Sequence, residues 1–119
     1  MSLKKLIWCK IADSQQSIDW QDNNMVVVIV GGKQITLVRS GNVLAACAFK
    51  CPHAGGVMAD GFIDAMGNIV CAMHGYKFSL HSGRNVSGEG YYLKVYAIEE
   101  REVGVFVGLE ESGWPNTVS

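Results

Sequence analysis

Two short stretches of the chain each pair a thiol with an imidazole. They are Cys51-Pro52-His53 and, after a gap of seventeen residues, Cys71-Ala72-Met73-His74. Two Cys and two His supply four ligands, the number needed to close a metal site. The order within each pair bears on which site. A zinc finger usually keeps its cysteines together and its histidines together, whereas here each stretch gives one of each. A 2Fe-2S centre with mixed ligands asks for that order, with each loop sending a thiolate to one iron and an imidazole to the other. A Cys2His2 zinc cage is also chemically sensible. Colour separates the two, because an iron-sulfur protein is red-brown and a zinc protein is colourless.

Exchanging two anionic thiolates for two neutral rings leaves a cluster less negative, so reduction becomes easier than in an all-Cys cluster. Pro52 stiffens the first turn. Gly55, Gly56 and Gly75 lie beside the ligands, where backbone is expected to approach sulfur closely and offer amide donors without a Cβ to clash. Met58 and Met73 are expected to shield the site from water.

The elements that must hold these two stretches read as strands. Apolar runs and alternation predict them over 6–11, 25–30, 34–39, 43–49, 92–98 and 103–109, with shorter ones over 68–71 and 76–80. Met25 to Val30 is a continuous apolar run rich in β-branched residues, consistent with a buried strand. Gly31-Gly32 and Ser40-Gly41-Asn42 are short turns, so neighbouring strands should pair antiparallel. A charged turn is expected over 99–102 and a short helical turn within 13–24. Between 51 and 90 lie all three histidines and most of the glycines. The expectation is one domain over 1–109, with a loop-rich unit over about 50–90 inserted into a strand scaffold, and a polar tail over 110–119 that Trp114 could pin.

Composition narrows the function classes. The 119 residues are 49% hydrophobic, enough for a core, and the net charge of −1 lacks the basic surface that nucleic acid demands. No run approaches the roughly 20 apolar residues of a membrane helix, and the N-terminus does not read as a signal peptide; a cytoplasmic protein is expected. Cys9 and Cys47 sit in apolar strand-like stretches and read as small buried hydrophobes, with a disulfide between them left open. Trp8 and Trp20 read as scaffold residues and His81 as a surface residue. Ser79 and Ser82 lie near His81 without an acid or an oxyanion arrangement, so no catalytic triad is indicated. Gly31-Gly32 lacks the Lys and Ser/Thr of a phosphate loop.

Cys51 to Gly56 (Cys-Pro-His-Ala-Gly-Gly) and Cys71 to Phe78 (Cys-Ala-Met-His-Gly-Tyr-Lys-Phe) resemble the two cluster-binding boxes of Rieske proteins. Ser82-Gly83-Arg84 resembles the turn that often follows the second box. The resemblance implies an all-β fold: a Rieske-like antiparallel β sandwich or barrel scaffold carrying an inserted, loop-rich cluster-binding subdomain. It implies a Rieske 2Fe-2S cluster, with Cys51 and Cys71 on one iron and His53 and His74, facing outward, on the other.

Departures from one branch of the family sharpen the expectation. Rieske subunits of quinol-oxidising respiratory complexes carry a further Cys in each box, joined as a disulfide; Gly56 and Met73 stand at those positions here. The same subunits place Ser and Tyr hydroxyls near the cluster, where this chain has Tyr76 and Phe78. Fewer donors leave the reduced cluster less stabilised, so the potential should lie near the low end of the Rieske range, about −150 mV. The pattern is similar to soluble Rieske ferredoxins, which are not enzymes alone but carry single electrons from a flavin reductase to a terminal oxygenase. A monomer is expected, with Lys50, Lys77 and Arg84 steering an acidic partner. An oxygenase subunit would need a second domain with its own iron, for which His81 is the only spare histidine. The alternatives are an accessory subunit of the nitrite-reductase small-subunit type and a redox sensor.

Overall fold

The computed structural model describes residues 5–53, 55–88 and 90–110, so residues 111–119 of the tail expected over 110–119, Trp114 among them, lie outside the described residues, while Glu110 ends a strand. Nine strands follow in chain order: β1 (Leu6–Ala12), β2 (Met25–Val30), β3 (Lys33–Ser40), β4 (Val43–Ala48), β5 (Phe62–Ile63), β6 (Asn68–Val70), β7 (Lys77–Ser79), β8 (Val95–Arg101) and β9 (Gly104–Glu110). Single 3-10 turns form at Gln15–Ser17 and Met58–Asp60. Six strands make a scaffold sheet in the order β1-β9-β8-β4-β3-β2, and β5-β6-β7 make a second, smaller sheet. Every pairing is antiparallel. The all-β expectation is met, and the small sheet with its loops interrupts the scaffold between β4 and β8.

The scaffold's two edge strands, β1 and β2, approach each other without a ladder between them, so the sheet curls around an interior. Val30, Ile35, Leu37, Ala46 and Val107 fill that interior, with Ile11, Ile18, Trp20 and Ile98 packed against them. A second core lies between the scaffold and the inserted unit. It contains Met25, Val38, Cys47, Met58, Ile69, Phe78 and Leu93, together with Cys51 and Cys71. Strand β3 explains how one sheet serves both cores. Ile35 and Leu37 point into the curl, while the alternate residue Val38 faces the inserted unit. Thr36, wholly buried, satisfies its hydroxyl by donating to the Ala48 carbonyl at 3.1 Å. The centre of β3, Ile35 to Val38, is thus buried on both faces, whereas β2, at the sheet edge, buries Met25 and Val30 but leaves Ile29 65% exposed, so its apolar run overstates its burial.

The expected and observed strands differ most at β8. The charged turn expected over 99–102 is strand, and β8 runs to Arg101 before a turn at Glu102 and Val103. These charges stay in the ladder because one face of β8 meets solvent. Arg101 pairs with Glu99 at 2.9 Å and lays its guanidinium over the rings of Trp8 and Phe106, a cation-on-ring contact that covers apolar surface. Trp20 is held on the scaffold by its indole N–H, which donates to the Gln15 carbonyl at 3.0 Å, and by Arg39 over its ring. All four cysteines are free thiols. Cys47 is buried, which pushes its thiol up to about 12, and Cys9 is half-buried against the scaffold interior. Among the described residues, no helix is long and apolar enough to cross a membrane.

Candidate metal centre

Both Cys-His stretches fold into the same kind of loop. The Cys51 N–H donates to the Gly56 carbonyl at 2.7 Å, and the Gly55 N–H returns to the Cys51 carbonyl at 2.9 Å. In the second loop the Cys71 N–H donates to the Tyr76 carbonyl at 2.9 Å, and the Gly75 N–H returns to the Cys71 carbonyl at 3.0 Å. The offsets are four and five residues in both. The closing glycines share one backbone conformation as well, with φ of +72° at Gly55 and +73° at Gly75. That left-handed region costs a residue with a Cβ energy that glycine avoids. The amides of Gly55 and Gly75 therefore close the loops by bonding to carbonyls rather than to sulfur, whereas the Gly56 backbone lies close to the Cys71 sulfur as the sequence suggested. The sulfur of Cys71 instead accepts from the backbone N–H groups of Met73 and His74.

The thiols lie inside. Cys51 and Cys71 are buried in the core between scaffold and inserted unit, and their side chains are within hydrogen-bonding reach of each other. Burial raises the Cys71 pKa above its ordinary value, with the two amide donors pulling against it. A protein thiolate here therefore needs a positive partner, which a ferric ion supplies. Met58 is fully buried in the same core, beneath the loops. Met73 stands on the outside, 57% exposed. A Cβ on Gly56 would lie 2.7 Å from Met73 Cγ and 3.6 Å from Cys71 Sγ. The positions that could have carried a disulfide brace thus touch, with a methionine laid across a glycine.

The imidazoles lie outward of the thiols and are not equivalent. Their ring centroids are 5.2 Å apart with planes at 79°. Two metal-bound imidazole nitrogens, each about 2 Å from an ion, can be reached from that separation. His74 is exposed beside a recess of ≈ 300 Å³ lined also by Gly75, Tyr76, Asn85 and Ser87. His53 is half-buried, and its Nδ1 is a buried polar atom without a hydrogen-bond partner among the described residues. A buried nitrogen without a proton partner is costly, and a metal ion is the partner that an imidazole nitrogen in this setting fits. So the expectation of two outward histidines holds for His74 and only in part for His53.

No three His, Cys, Asp or Glu side chains among the described residues gather as a single-ion cage would require. A two-iron cluster asks each iron for only two protein ligands, and here two thiols lie on the inner side and two rings on the outer. The residues fit such a cluster better than a zinc cage.

Sequence reasoning passed over Tyr91 and Asn85. The segment after β7 folds back on it, with the Val86 N–H donating to the Lys77 carbonyl and an isolated pairing of Phe78 with Asn85. It returns through a pairing of Arg84 with Tyr92, and Tyr91 meets the His53 ring edge-on at 5.1 Å. Asn85 is buried; its Oδ1 accepts from the Ser87 N–H and hydroxyl, while Nδ2 has no partner among the described residues. Gly88, Gly90 and the paired tyrosines were the available signal for a third loop. Lys50, Lys77 and Arg84 are all exposed near the loops, with Lys77 3.7 Å from Asp64. His81 is exposed, and its amide caps against the Ser79 hydroxyl.

Comparison with known proteins agrees with this geometry. The ferredoxin component of an alkene monooxygenase system from Xanthobacter autotrophicus is 25% identical over 92 residues, 77% of this chain and 75% of that protein. A chain from the complex of reduced oxygenase and oxidized ferredoxin in carbazole 1,9a-dioxygenase superposes with a TM-score of 0.71 at 27% identity, covering 91% of this chain and 98% of that one. A protein assigned as the small subunit of an NADH-dependent nitrite reductase from Mycobacterium tuberculosis superposes with a TM-score of 0.74 at 20% identity, covering 87% and 96%. The Rieske 2Fe-2S domain model matches residues 8–97, which include both loops and most of the scaffold. The chain belongs to the Rieske 2Fe-2S domain family, and its cofactor is the Rieske 2Fe-2S cluster.

Proposed function

We propose that this protein is a one-electron carrier, a Rieske ferredoxin that takes electrons from a flavin reductase and delivers them to a terminal oxygenase. Cys51, Cys71, His53 and His74 would hold its cluster, the two thiols serving one iron and the two imidazoles the other. The observation that carries this assignment is the pair of loops with matching closure, which set two thiols in the core and two imidazoles outward of them. Bound there, the cluster supplies reversible one-electron chemistry. The chain's own residues exclude water from the inner side through Met58 and Phe78, which are fully buried. They leave His74 open to a partner's cofactor.

Phe78 offers no hydroxyl, and the Tyr76 ring lies flat against His53, with centroids 4.0 Å apart, so few donors stabilise the reduced state. A midpoint potential about −150 mV follows; a value above about +100 mV would contradict it. The protein acts without catalysis of its own, as a monomer in the cytoplasm, as one domain over 1–109 whose unit at about 50–90 holds the cluster. Lys50, Lys77 and Arg84 steer an acidic partner to it. The test is reconstitution with a flavin reductase and a terminal oxygenase. Reduction by the reductase and oxygenase turnover that requires this protein are expected. Tight co-purification with a nitrite reductase large subunit instead, with no electron delivery to an oxygenase, would favour the accessory-subunit reading that the nitrite reductase fold neighbour raises.

A further inference from the structure

The His53 ring is enclosed on three sides by aromatic groups. Tyr76 lies parallel to it, with centroids 4.0 Å apart and planes 13° apart. Tyr91, from the third loop, meets it edge-on at 5.1 Å and 69°. His74 meets it edge-on at 5.2 Å and 79°. No such enclosure is recorded for His74, whose one ring contact among the described residues is with His53. A flat stack fixes the plane of an imidazole, and an edge contact fixes its rotation within that plane. Together they hold Nδ1 on the buried side, where it has no protein partner among the described residues.

We propose that Tyr76 and Tyr91 are positioning residues that clamp the His53 imidazole, making His53 the fixed, shielded ligand and His74 the accessible one. The clamp matters only where His53 is a ligand, so the proposal rests on that assignment. The rings do the holding: no hydrogen bond of either phenol to a described residue is present, and stacked or edge-on aromatic pairs are attractive through their faces and edges. The Tyr92 side chain is more exposed, at 67%, and makes no ring contact with either histidine, which makes it the internal control.

The experiment uses the cluster-loaded full chain and its Tyr76→Leu, Tyr76→Phe, Tyr91→Leu, Tyr91→Phe and Tyr92→Leu variants. Two quantities are read: the rate at which visible absorbance decays after a chelator is added, and the nitrogen hyperfine couplings of the two ligand histidines in the reduced protein. Tyr76→Leu and Tyr91→Leu should lose cluster about two- to tenfold faster than Tyr92→Leu, and should shift the coupling of one histidine while leaving the other in place. The Phe variants should behave as the parent. Should Tyr76→Leu load no cluster, Tyr91→Leu decides alone, since that ring is 47% exposed and its loss leaves the core intact. Decay and couplings matching the Tyr92→Leu control in the Leu variants would overturn the clamp. So would Phe variants as impaired as the Leu variants, since that would make the hydroxyls responsible. A His53→Ala variant separates the two levels: if it keeps a full cluster with unchanged spectra, the ligand assignment fails, whereas cluster loss there with unaffected Leu variants removes the clamp alone.

Discussion

The two ligand loops share a backbone and differ in a single spacing. In each, the Cys N–H donates five residues ahead and the Cys carbonyl accepts from four residues ahead, through a left-handed glycine. The histidine, however, stands two residues after Cys51 and three after Cys71. One residue more along a tight loop turns the side chain to another side. The first loop thus lays its ring against Tyr76 and Tyr91, with Nδ1 buried. The second leaves its ring exposed beside an open recess. The lesson is that a repeated closure can deliver like thiols to one inner position while giving the imidazoles different jobs, one braced and one accessible.

The largest expected effect tests what the loops have in common. Cys51→Ala and Cys71→Ala should each abolish cluster binding, read as loss of visible absorbance and of iron in the purified protein. A stable, full-occupancy cluster in either variant would end the equivalence of the two thiols. Next comes the shared floor. Phe78 is fully buried in the core that also contains both cysteines, and Phe78→Ala should cost about 3–5 kcal/mol of folding stability. Chemical denaturation of the cluster-free protein measures this; a loss below about 1 kcal/mol would mean that the floor repacks.

A subtler comparison concerns the closing glycines. An added Cβ meets nothing within 4 Å at Gly55 or at Gly75, so alanine there meets only backbone strain. Gly55→Ala and Gly75→Ala should each destabilise by about 1–2 kcal/mol, and by similar amounts. Unequal losses in denaturation midpoints would show that the loops are not equivalent in stability despite their matching hydrogen bonds.

The smallest effect should touch the second loop alone. Asp64, in the turn between β5 and β6, accepts from the Asn68 and Met66 backbone N–H groups at 2.9 Å and pairs with Lys77, just beyond that loop. The Asn68 amide foremost, then Met66 and Lys77, hold its pKa below the ordinary 3.8. A folded value below the unfolded one stabilises the protein above pH 3.8, and that stabilisation disappears as pH falls through the lower folded value. Asp64→Asn should therefore lower the stability of the cluster-free protein at neutral pH and flatten the acid limb of its stability curve, with variant and parent converging as pH falls through the lower folded value. An unchanged acid limb would show that the turn does not depend on the carboxylate's charge.

Much of this molecule is legible in its sequence because the relevant constraints are local. The apolar run of β2 and the glycine turns mark antiparallel strands, and the paired Cys-x-His and Cys-x-x-His patterns mark the candidate ligands and the cofactor class. The boundary of β8 was misplaced because charge suggests a turn, whereas Arg101 remains in the ladder by covering Phe106 across the hairpin and Trp8, which is far from it in sequence. The inequivalence of the histidines was hidden for the same kind of reason. Nothing near His53 in the chain announces Tyr91, which arrives from a third loop folded back along β7.

The sequence by itself determined which residues are the candidate cluster ligands, since ligand type and spacing are properties of a few adjacent residues. It also determined that strands would carry them, because apolar patterning is a property of each strand. The tertiary structure alone decided which imidazole is braced and which is open. That choice rests on packing between segments distant in the chain, where a ring 4.0 Å above another and a second at its edge fix an orientation that no local rule specifies.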